Sequence, residues 1–159
     1  MRFFVKTNYK LVNISWRKYD KLVKNIIKQL DGKEIDYVVP VLRGGAVVGL
    51  SIASNFTLET KYIRVKRSLT NEPNSDFGDV NIKVCEDMTD IKDKTVLICE
   101  DTIDTEYTIN SVVEYIQTFA PKEILICTLY DFSKEKKYIS GQKMFKHKWI
   151  VFPWERSLK

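Results

Sequence analysis

This chain of 159 residues has few cysteines and a single histidine. Its cysteines, Cys85, Cys99 and Cys127, are odd in number and never two residues apart, and the last two lie inside apolar runs. Buried thiols in a reducing compartment are therefore expected, rather than disulfides or metal ligands. With His147 as its only histidine, the chain has almost no material for a zinc site of histidine and cysteine.

Long apolar runs, internal repeats and linkers are also missing. No run approaches the roughly 20 apolar residues that a membrane-spanning helix needs, and residues 1–6 hold too short an apolar stretch for a signal peptide. The sequence predicts a cytoplasmic protein with no membrane partner. Since no Pro/Ser-rich linker divides the chain, residues 1–159 are expected to form one domain.

The charge balance is a weak guide to function. Subtracting 21 acidic residues from 26 basic ones gives +5, a surplus that suits nucleic acid or small polyanionic substrates. The basic residues are scattered and do not alternate with aromatic residues as in a nucleic-acid groove. We expect no nucleic-acid partner; a basic nucleic-acid-binding protein is an alternative that rests on net charge alone. A hydrophobic content of 44% excludes a disordered chain.

The first third of the chain predicts a strand between two helices. Apolar residues at helical spacing predict a helix over residues 16–30, with Ser15 as N-cap and Gly32 as the stop. A β-rich run over 35–41 leads into a glycine turn, and a second helical pattern follows over 46–56. Strand, glycine turn and helix together are half of a βαβ unit.

The same alternation continues to the aromatic C-terminal end. Strands are predicted over residues 62–65, 80–84, 95–99 and 123–130, a helix from residue 107 or 108 to 119, and a polar loop over 66–79. The run 95–99 is continuously apolar, as in a strand that is covered on both faces of a parallel sheet. The sequence therefore predicts an α/β fold with a mainly parallel central sheet flanked by helices.

The acidic turn over residues 100–106 is the strongest chemical feature. In a doubly wound sheet, ligands bind beyond the carboxyl ends of the strands, where this turn lies. Glu100 and Asp101 suit sugar hydroxyls or a magnesium ion, and the backbone N–H groups of the following helix suit a phosphate. The alternative to a ligand site is that these acids only cap the N-terminus of the following helix. Capping would explain one acid, but not four in seven residues.

Three segments in order resemble the type I phosphoribosyltransferases, most closely the xanthine-guanine/hypoxanthine (purine) enzymes. Residues 96–108, VLICEDTIDTEYT, are similar to the family's motif for phosphoribosyl pyrophosphate (PRPP), in which two acids precede Asp-Thr-Gly-x-Thr. Residues 39–45, VPVLRGG, resemble its pyrophosphate loop, and residues 148–155, KWIVFPWE, resemble its base-binding tail, which is taken as about 130–159. The helix opening at 14–16 also matches. The resemblance spans nearly the whole chain.

The resemblance implies a role for each residue of the acidic turn. Glu100 and Asp101 would bind the ribose hydroxyls of PRPP and its Mg²⁺, and Asp104 would be the general base that takes or shares the purine N7 proton. The 5′-phosphate would be bound by Asp104, Thr105, Glu106, Tyr107 and Thr108. No other metal site is implied.

The resemblance also implies binding sites for pyrophosphate and for the base. Pyrophosphate would bind to Leu42, Arg43 and Gly44, across a cis peptide at Leu42–Arg43. In the tail, the purine would stack on Trp149, the Ile150 backbone would read its edge, and Glu155 would lie near the group at purine C2. An ordinary core position is the alternative for Trp149, and core packing is expected for Trp154.

Two positions depart from the family pattern. Glu106 stands where the motif has glycine, so a carboxylate about 5 Å from a phosphate charge would cost roughly 3 kcal/mol at an effective dielectric near 20. Turned into water it would cost about 1 kcal/mol or less. Phe132 stands where purine-specific members carry a lysine that donates to the oxygen at C6, and Lys134 is a possible substitute. A missing donor would weaken selection for 6-oxopurines.

The resemblance further implies a flexible hood over about 66–79 and a homodimer or homotetramer. Hood closure would keep water from the reacting sugar; a plain surface loop is the alternative. The predicted function is transfer of 5-phosphoribosyl from PRPP to hypoxanthine, guanine or xanthine in purine salvage. A non-catalytic member of the same fold, acting as a nucleotide-sensing or protein-binding module, is the competing hypothesis.

Overall fold

The structure is a computed structural model, and it describes residues 11–67, 80–84, 86–135, 137–145 and 148–155. Three α-helices lie in these ranges: α1 (Trp16–Leu30), α2 (Gly44–Phe56) and α3 (Tyr107–Gln117). The strands there are β1 (Leu11–Asn13), β2 (Tyr37–Leu42), β3 (Glu59–Thr60), β4 (Ile63–Arg67), β5 (Val80–Val84), β6 (Thr95–Ile103), β7 (Glu123–Asp131), β8 (Ile139–Lys143) and β9 (Trp149–Val151). Short 3₁₀ helices cover Thr89–Ile91 and Pro153–Glu155.

The central sheet has seven strands in the order β5-β4-β2-β6-β7-β8, with β3 also paired to β2. All pairings in it are parallel except that of β4 with β5. Adjacent β2, β6 and β7 therefore end at the same edge of the sheet. The prediction of an α/β fold with a mainly parallel sheet is confirmed.

Helices cover both faces of this sheet. Leu97 and Cys99 of β6 pack into one core cluster with α1 and α2, whereas Val96 and Ile98 pack into a second cluster with α3. Neighbouring residues of a strand point to opposite faces, so a strand covered on both sides must be apolar at every position. This explains why 95–99 lacks the polar alternation of a half-exposed strand.

Helix α1 has the predicted bounds and the predicted cap. The Ser15 side chain accepts a hydrogen bond from the backbone N–H of Lys18 at 3.2 Å, which satisfies one free donor of the first turn. Gly32 follows the helix with φ of +74°, a conformation that glycine adopts without steric cost. Cys99 and Cys127 are buried, as predicted; Cys85 and His147 lie outside the described residues.

Several predicted boundaries were wrong. Helix α2 begins at Gly44 instead of residue 46, and α3 ends at Gln117 instead of residue 119. The strand over 95–99 continues to Ile103, because Glu100, Thr102 and Ile103 keep their pairing with β7. The polar loop predicted from residue 66 starts later, since Lys66 and Arg67 still pair with β5. Residues 68–79, most of the predicted hood, lie outside the described residues.

The C-terminal segment returns to the start of the chain. Strand β9 pairs in parallel with β1, and the Ile14 N–H donates to the Val151 carbonyl at 2.9 Å. Trp154 stacks on Phe152 with ring centroids 4.6 Å apart and packs against the main core, as predicted. No helix of the described residues is long and apolar enough to cross a membrane.

Candidate active site at the carboxyl edge of the sheet

A small cavity of about 230 Å³ lies where β6 passes into α3. Side chains of the last residues of β6, of the bend over 104–106 and of the first turns of α3 surround it. They are Glu100, Thr102, Ile103, Asp104, Thr105, Glu106, Thr108 and Ile109. The strand edge and the helix N-terminus therefore face one space, as expected for a ligand site of an α/β sheet.

The loop after β2 lies directly against the end of β6. The Leu42–Arg43 peptide bond is cis, as the resemblance implied. A Cβ atom at Gly44 would overlap the Asp101 carboxylate, and one at Gly45 would overlap the Cys99 carbonyl. Only residues without a side chain allow α2 to begin this close to β6. The structure thus brings together Arg43, Gly44 and Asp101.

Asp101 is a strongly perturbed acid. Burial, with a smaller contribution from the nearby Glu155 carboxylate, raises its pKa to about 6, and a hydrogen bond with the Glu100 side chain acts in the opposite direction. Two carboxyl groups this close repel each other unless a proton or a cation lies between them. Asp101 and Glu100 therefore form a place that favours positive charge.

The tail brings Glu155 to this edge. Its carboxylate, in the short helix Pro153–Glu155, accepts a hydrogen bond at 3.0 Å from the backbone N–H of Phe152 just before that helix. Trp149, by contrast, is 54% exposed, so the alternative of a core position was wrong for it. Ile150 is buried in β9. An exposed tryptophan ring is available for stacking on a planar ligand.

The bend itself combines exposed hydroxyl and carboxyl groups with a helix N-terminus. Asp104, Thr105 and Tyr107 are exposed, and Thr108 is half-buried. Helix α3 starts at Tyr107, so the N–H groups of its first turn point toward the bend. That arrangement favours an anion, as the sequence predicts.

Glu106 lines the cavity, and its side chain is paired with other residues instead of being turned into water. Its backbone is left-handed, with φ of 61° and ψ of −8°, which explains why glycine suits this position. Its carboxylate forms an ion pair with Lys137 at 2.5 Å and accepts a hydrogen bond from the Tyr138 hydroxyl. These bonds hold the Glu106 pKa below its ordinary value, and the bond with Lys137 has the largest effect.

The segment after β7 has its own polar cluster. Buried Asp131 binds the Ser133 hydroxyl at 2.5 Å and Lys143 at 3.1 Å. Phe132 is half-buried against the main core, and Lys134 is exposed. Neither observation assigns Lys134 the donor role that the sequence left open, and Lys143 is held by Asp131 and by main-chain oxygens of this segment.

Glu100 and Asp101 fit a magnesium ion held jointly with a substrate. Among the described residues, no group of three or more His, Cys, Asp or Glu side chains is arranged to hold a metal. Mg²⁺ commonly takes only one or two protein carboxylates and completes its shell with water and substrate phosphate. The close approach of Gly44 to Asp101 leaves backbone, not side chain, on that side.

Sequence reasoning missed Lys137, Tyr138 and Lys143. Each lies in or just before β8, a strand that sequence patterning did not predict, and each contacts a residue distant in the chain. The one feature of the sequence that could have predicted a partner was Glu106. A carboxylate in place of a motif glycine, near a phosphate site, is expected to need a cation beside it.

Comparison with known proteins identifies a matching family. The sequence model of the phosphoribosyl transferase domain family matches residues 7–159. No curated protein matches the chain in sequence at the significance that we required.

Among solved structures, a purine phosphoribosyltransferase from Pyrococcus horikoshii Ot3 is similar, with 26% identity and a TM-score of 0.76 over 93% of this chain and 95% of that chain. The Helicobacter pylori xanthine-guanine-hypoxanthine phosphoribosyltransferase shares 19% identity, with a TM-score of 0.71 over 91% and 93% of the two chains. A hypothetical protein from Neisseria gonorrhoeae, solved with bound ppGpp, shares 12% identity, with a TM-score of 0.75 over 94% and 92%. The last two show likeness of fold alone.

Proposed function

We propose, because the chain belongs to the phosphoribosyl transferase domain family, that it transfers 5-phosphoribosyl from PRPP to a purine base and releases pyrophosphate. The observation that carries the proposal is the meeting of Gly44, Asp101 and Glu155 at the end of β6. These residues come from the three segments that resemble the pyrophosphate loop, the PRPP motif and the base-binding tail.

In this proposal the end of β6 binds the sugar. Glu100 and Asp101 bind the ribose hydroxyls and, together with substrate oxygens, Mg²⁺. The ion, when bound, supplies positive charge that offsets the charge of the polyphosphate. Pyrophosphate lies along Leu42, Arg43 and the Gly44 amide. Asp101 has to be ionised for this role, so its raised pKa favours binding above about pH 6.

The bend binds the 5′-phosphate and provides the base. Thr105, Thr108 and the first amides of α3, including those of Glu106 and Tyr107, hold the phosphate oxygens. Asp104 is exposed and within the lining of the cavity. As purine N9 attacks the anomeric carbon, the bond to pyrophosphate breaks, and Asp104 accepts or shares the N7 proton.

The tail recognises the purine. Trp149 offers an exposed ring for stacking, the Ile150 backbone reads the edge, and Glu155 lies near C2. Hypoxanthine, guanine and xanthine are the candidate bases because the tail resembles that of the purine enzymes. Phe132 has no polar group for the oxygen at C6, so selection among purines by that oxygen is expected to be weak. The magnesium ion, a homodimer or homotetramer, and a cytoplasmic role in purine salvage complete the proposal.

The test is direct synthesis of nucleotide. Wild-type protein is mixed with Mg²⁺, PRPP and each of the three bases, and nucleoside monophosphate and pyrophosphate are measured. We expect product with at least one base. Asp104→Asn is expected to lower kcat by about 10²–10⁴-fold, the usual contribution of a general base, with the fold intact by circular dichroism. Folded wild-type protein that makes no nucleotide with any base would contradict the proposal.

A non-catalytic nucleotide-sensing or protein-binding module is the second candidate. Glu106 and Phe132 favour it, because each replaces a residue that the enzymes' motif uses for substrate binding. This alternative predicts no nucleotide synthesis and a ligand or partner affinity that is unchanged in Asp104→Asn. Loss of the biological activity in that variant would eliminate it.

A further inference from the structure

The Glu106 carboxylate is held from the side by two residues that the PRPP motif does not contain. One of its oxygens lies 2.5 Å from the Lys137 Nζ atom and also accepts the Tyr138 hydroxyl hydrogen bond. The Lys137 ammonium group also lies 5.3 Å from the centre of the Tyr138 ring. Lys143, which is itself paired with Asp131, adds a smaller attraction. The carboxylate is thus both oriented and neutralised.

This contact matters because Glu106 lines the cavity at the start of α3 together with Thr105 and Thr108. An unpaired carboxylate there would repel an incoming phosphate, and the repulsion grows as water is displaced. Tyr138 is 7% exposed and packs in the cluster that includes α3, so its hydroxyl is a fixed anchor. Lys137 provides the charge, and Tyr138 provides the direction.

Stabilisation of the fold is a weaker explanation for the contact between Lys137 and Glu106. The side chain of Lys137 is 47% exposed, and ion pairs of that kind contribute little to folding. The effect of its charge is expected to be larger on an anion that enters the cavity beside Glu106, since both groups then lose solvent.

We propose that Lys137 and Tyr138 are positioning residues for the phosphoribosyl donor: they hold and neutralise Glu106, so that the site accepts a 5′-phosphate without the motif glycine. This inference rests on the proposed function. Neither residue needs to touch the substrate, because each acts through the Glu106 carboxylate.

The test is a double-mutant cycle between positions 137 and 106. Lys137→Met is expected to raise KM for PRPP about tenfold with kcat changed less than twofold, and Tyr138→Phe to raise it about threefold. In the Glu106→Gly background, Lys137→Met is expected to change KM less than twofold, because no carboxylate is left to neutralise. Lys137→Arg should restore most of the affinity. Lys21→Met, on the exposed side of α1 across the sheet, is the matched loss of one lysine charge.

Two results would overturn the inference: an unchanged KM in Lys137→Met, or the same rise of KM in the Glu106→Gly background, which would mean that Lys137 acts on the phosphate directly. Calorimetric binding of Mg²⁺-PRPP to the same variants separates this inference from the proposed function. If the wild type binds PRPP with the expected pattern but makes no nucleotide, the enzymatic proposal fails and the positioning role stands. If wild type neither binds PRPP nor makes nucleotide, both fail.

Discussion

The carboxylates at the two ends of the acidic turn over residues 100–106 have opposite electrostatic environments. At the strand end, Asp101 is half-buried near Glu100 and Glu155, and its pKa is raised to about 6. At the helix start, Glu106 is paired with Lys137 and Tyr138, and its pKa is lowered. The two acids are five positions apart in the chain. Asp101 has other carboxylates near it, whereas the charge of Glu106 is neutralised by a lysine.

This contrast fits a ligand with unlike ends. The strand end has a surplus of carboxylates, which suits hydroxyl groups and a bound cation. The helix start has its carboxylate neutralised and its N–H groups facing outward, which suits an anion. Neighbouring residues can thus be adapted to different parts of one substrate, provided that each has partners from another part of the fold.

The largest expected effect on activity comes from Gly44→Ala, which disturbs Asp101 at the end of β6. The new Cβ would overlap the Asp101 carboxylate, so that side chain must turn away from its position. We expect kcat/KM for PRPP to fall about 100-fold, the loss of roughly 2.7 kcal/mol of transition-state binding. Because a short side chain can rotate, the melting temperature should change by only a few degrees. Steady-state kinetics and thermal unfolding measure both.

Gly32→Ala is the matched control for that variant. Gly32 has φ of +74°, and a Cβ added to it would meet no atom within 4 Å, far from the cavity. The alanine should cost about 1 kcal/mol of stability through its left-handed backbone and leave kcat/KM unchanged. Retention of activity in Gly44→Ala would remove the argument that Gly44 keeps Asp101 in place.

A smaller effect is expected from Glu106→Gln on the pH dependence of stability. The folded-state pKa of Glu106 lies below the ordinary value of 4.5, so its charge stabilises the folded state above that pH. The contribution disappears as the pH falls from about 4.5 through the lowered folded-state pKa. The free energy of unfolding of wild type should exceed that of Glu106→Gln by at most about 1 kcal/mol at pH 7, and the difference should shrink toward pH 3 in urea denaturation.

Exposed Glu34, just before β2 at the opposite edge of the sheet, is the control. Glu34→Gln should leave the stability difference from wild type near zero at both pH values. A Glu106→Gln difference that stays constant between pH 7 and pH 3 would show that the pair with Lys137 and Tyr138 has no electrostatic effect on folding.

The smallest effect is expected from Glu155→Gln on Asp101. Removing the Glu155 charge lowers the Asp101 pKa from about 6, and burial, the larger cause, still holds it above its ordinary value. The amide oxygen of glutamine can still accept the Phe152 N–H bond, so the tail keeps its shape. A carboxyl NMR titration of metal-free protein measures the shift. An unchanged or higher Asp101 pKa would show that the tail does not reach the acidic edge electrostatically.

Much of the fold was predictable from local pattern. The stripe in α1 and the cap at Ser15 predict that helix with its bounds, and the apolar run over 95–99 predicts a doubly covered strand. The end of β6 was predicted too early, because the polar residues Glu100 to Thr102 carry no strand signal of their own. They stay in the strand because β7 continues to pair with them.

The candidate site was only partly predictable. The three resembling segments predict where PRPP would bind, and the family match shows the family to which the chain belongs. The partners of Glu106 were not predictable, because Lys137 and Tyr138 lie about thirty positions away on a segment without a helical or strand pattern. The exposure of Trp149 likewise depended on how β9 packs.

By itself, the sequence determined the class of fold, the order of its main elements and the acidic bend at a strand end. These properties are set by periodicity and by residue type, which act over a few neighbouring positions. Only the tertiary structure decided that Glu155 stands beside Asp101 and that Glu106 turns to Lys137 and Tyr138. The reason is that charge and desolvation act through space, so a carboxylate's state depends on which distant segments the packed sheet brings next to it.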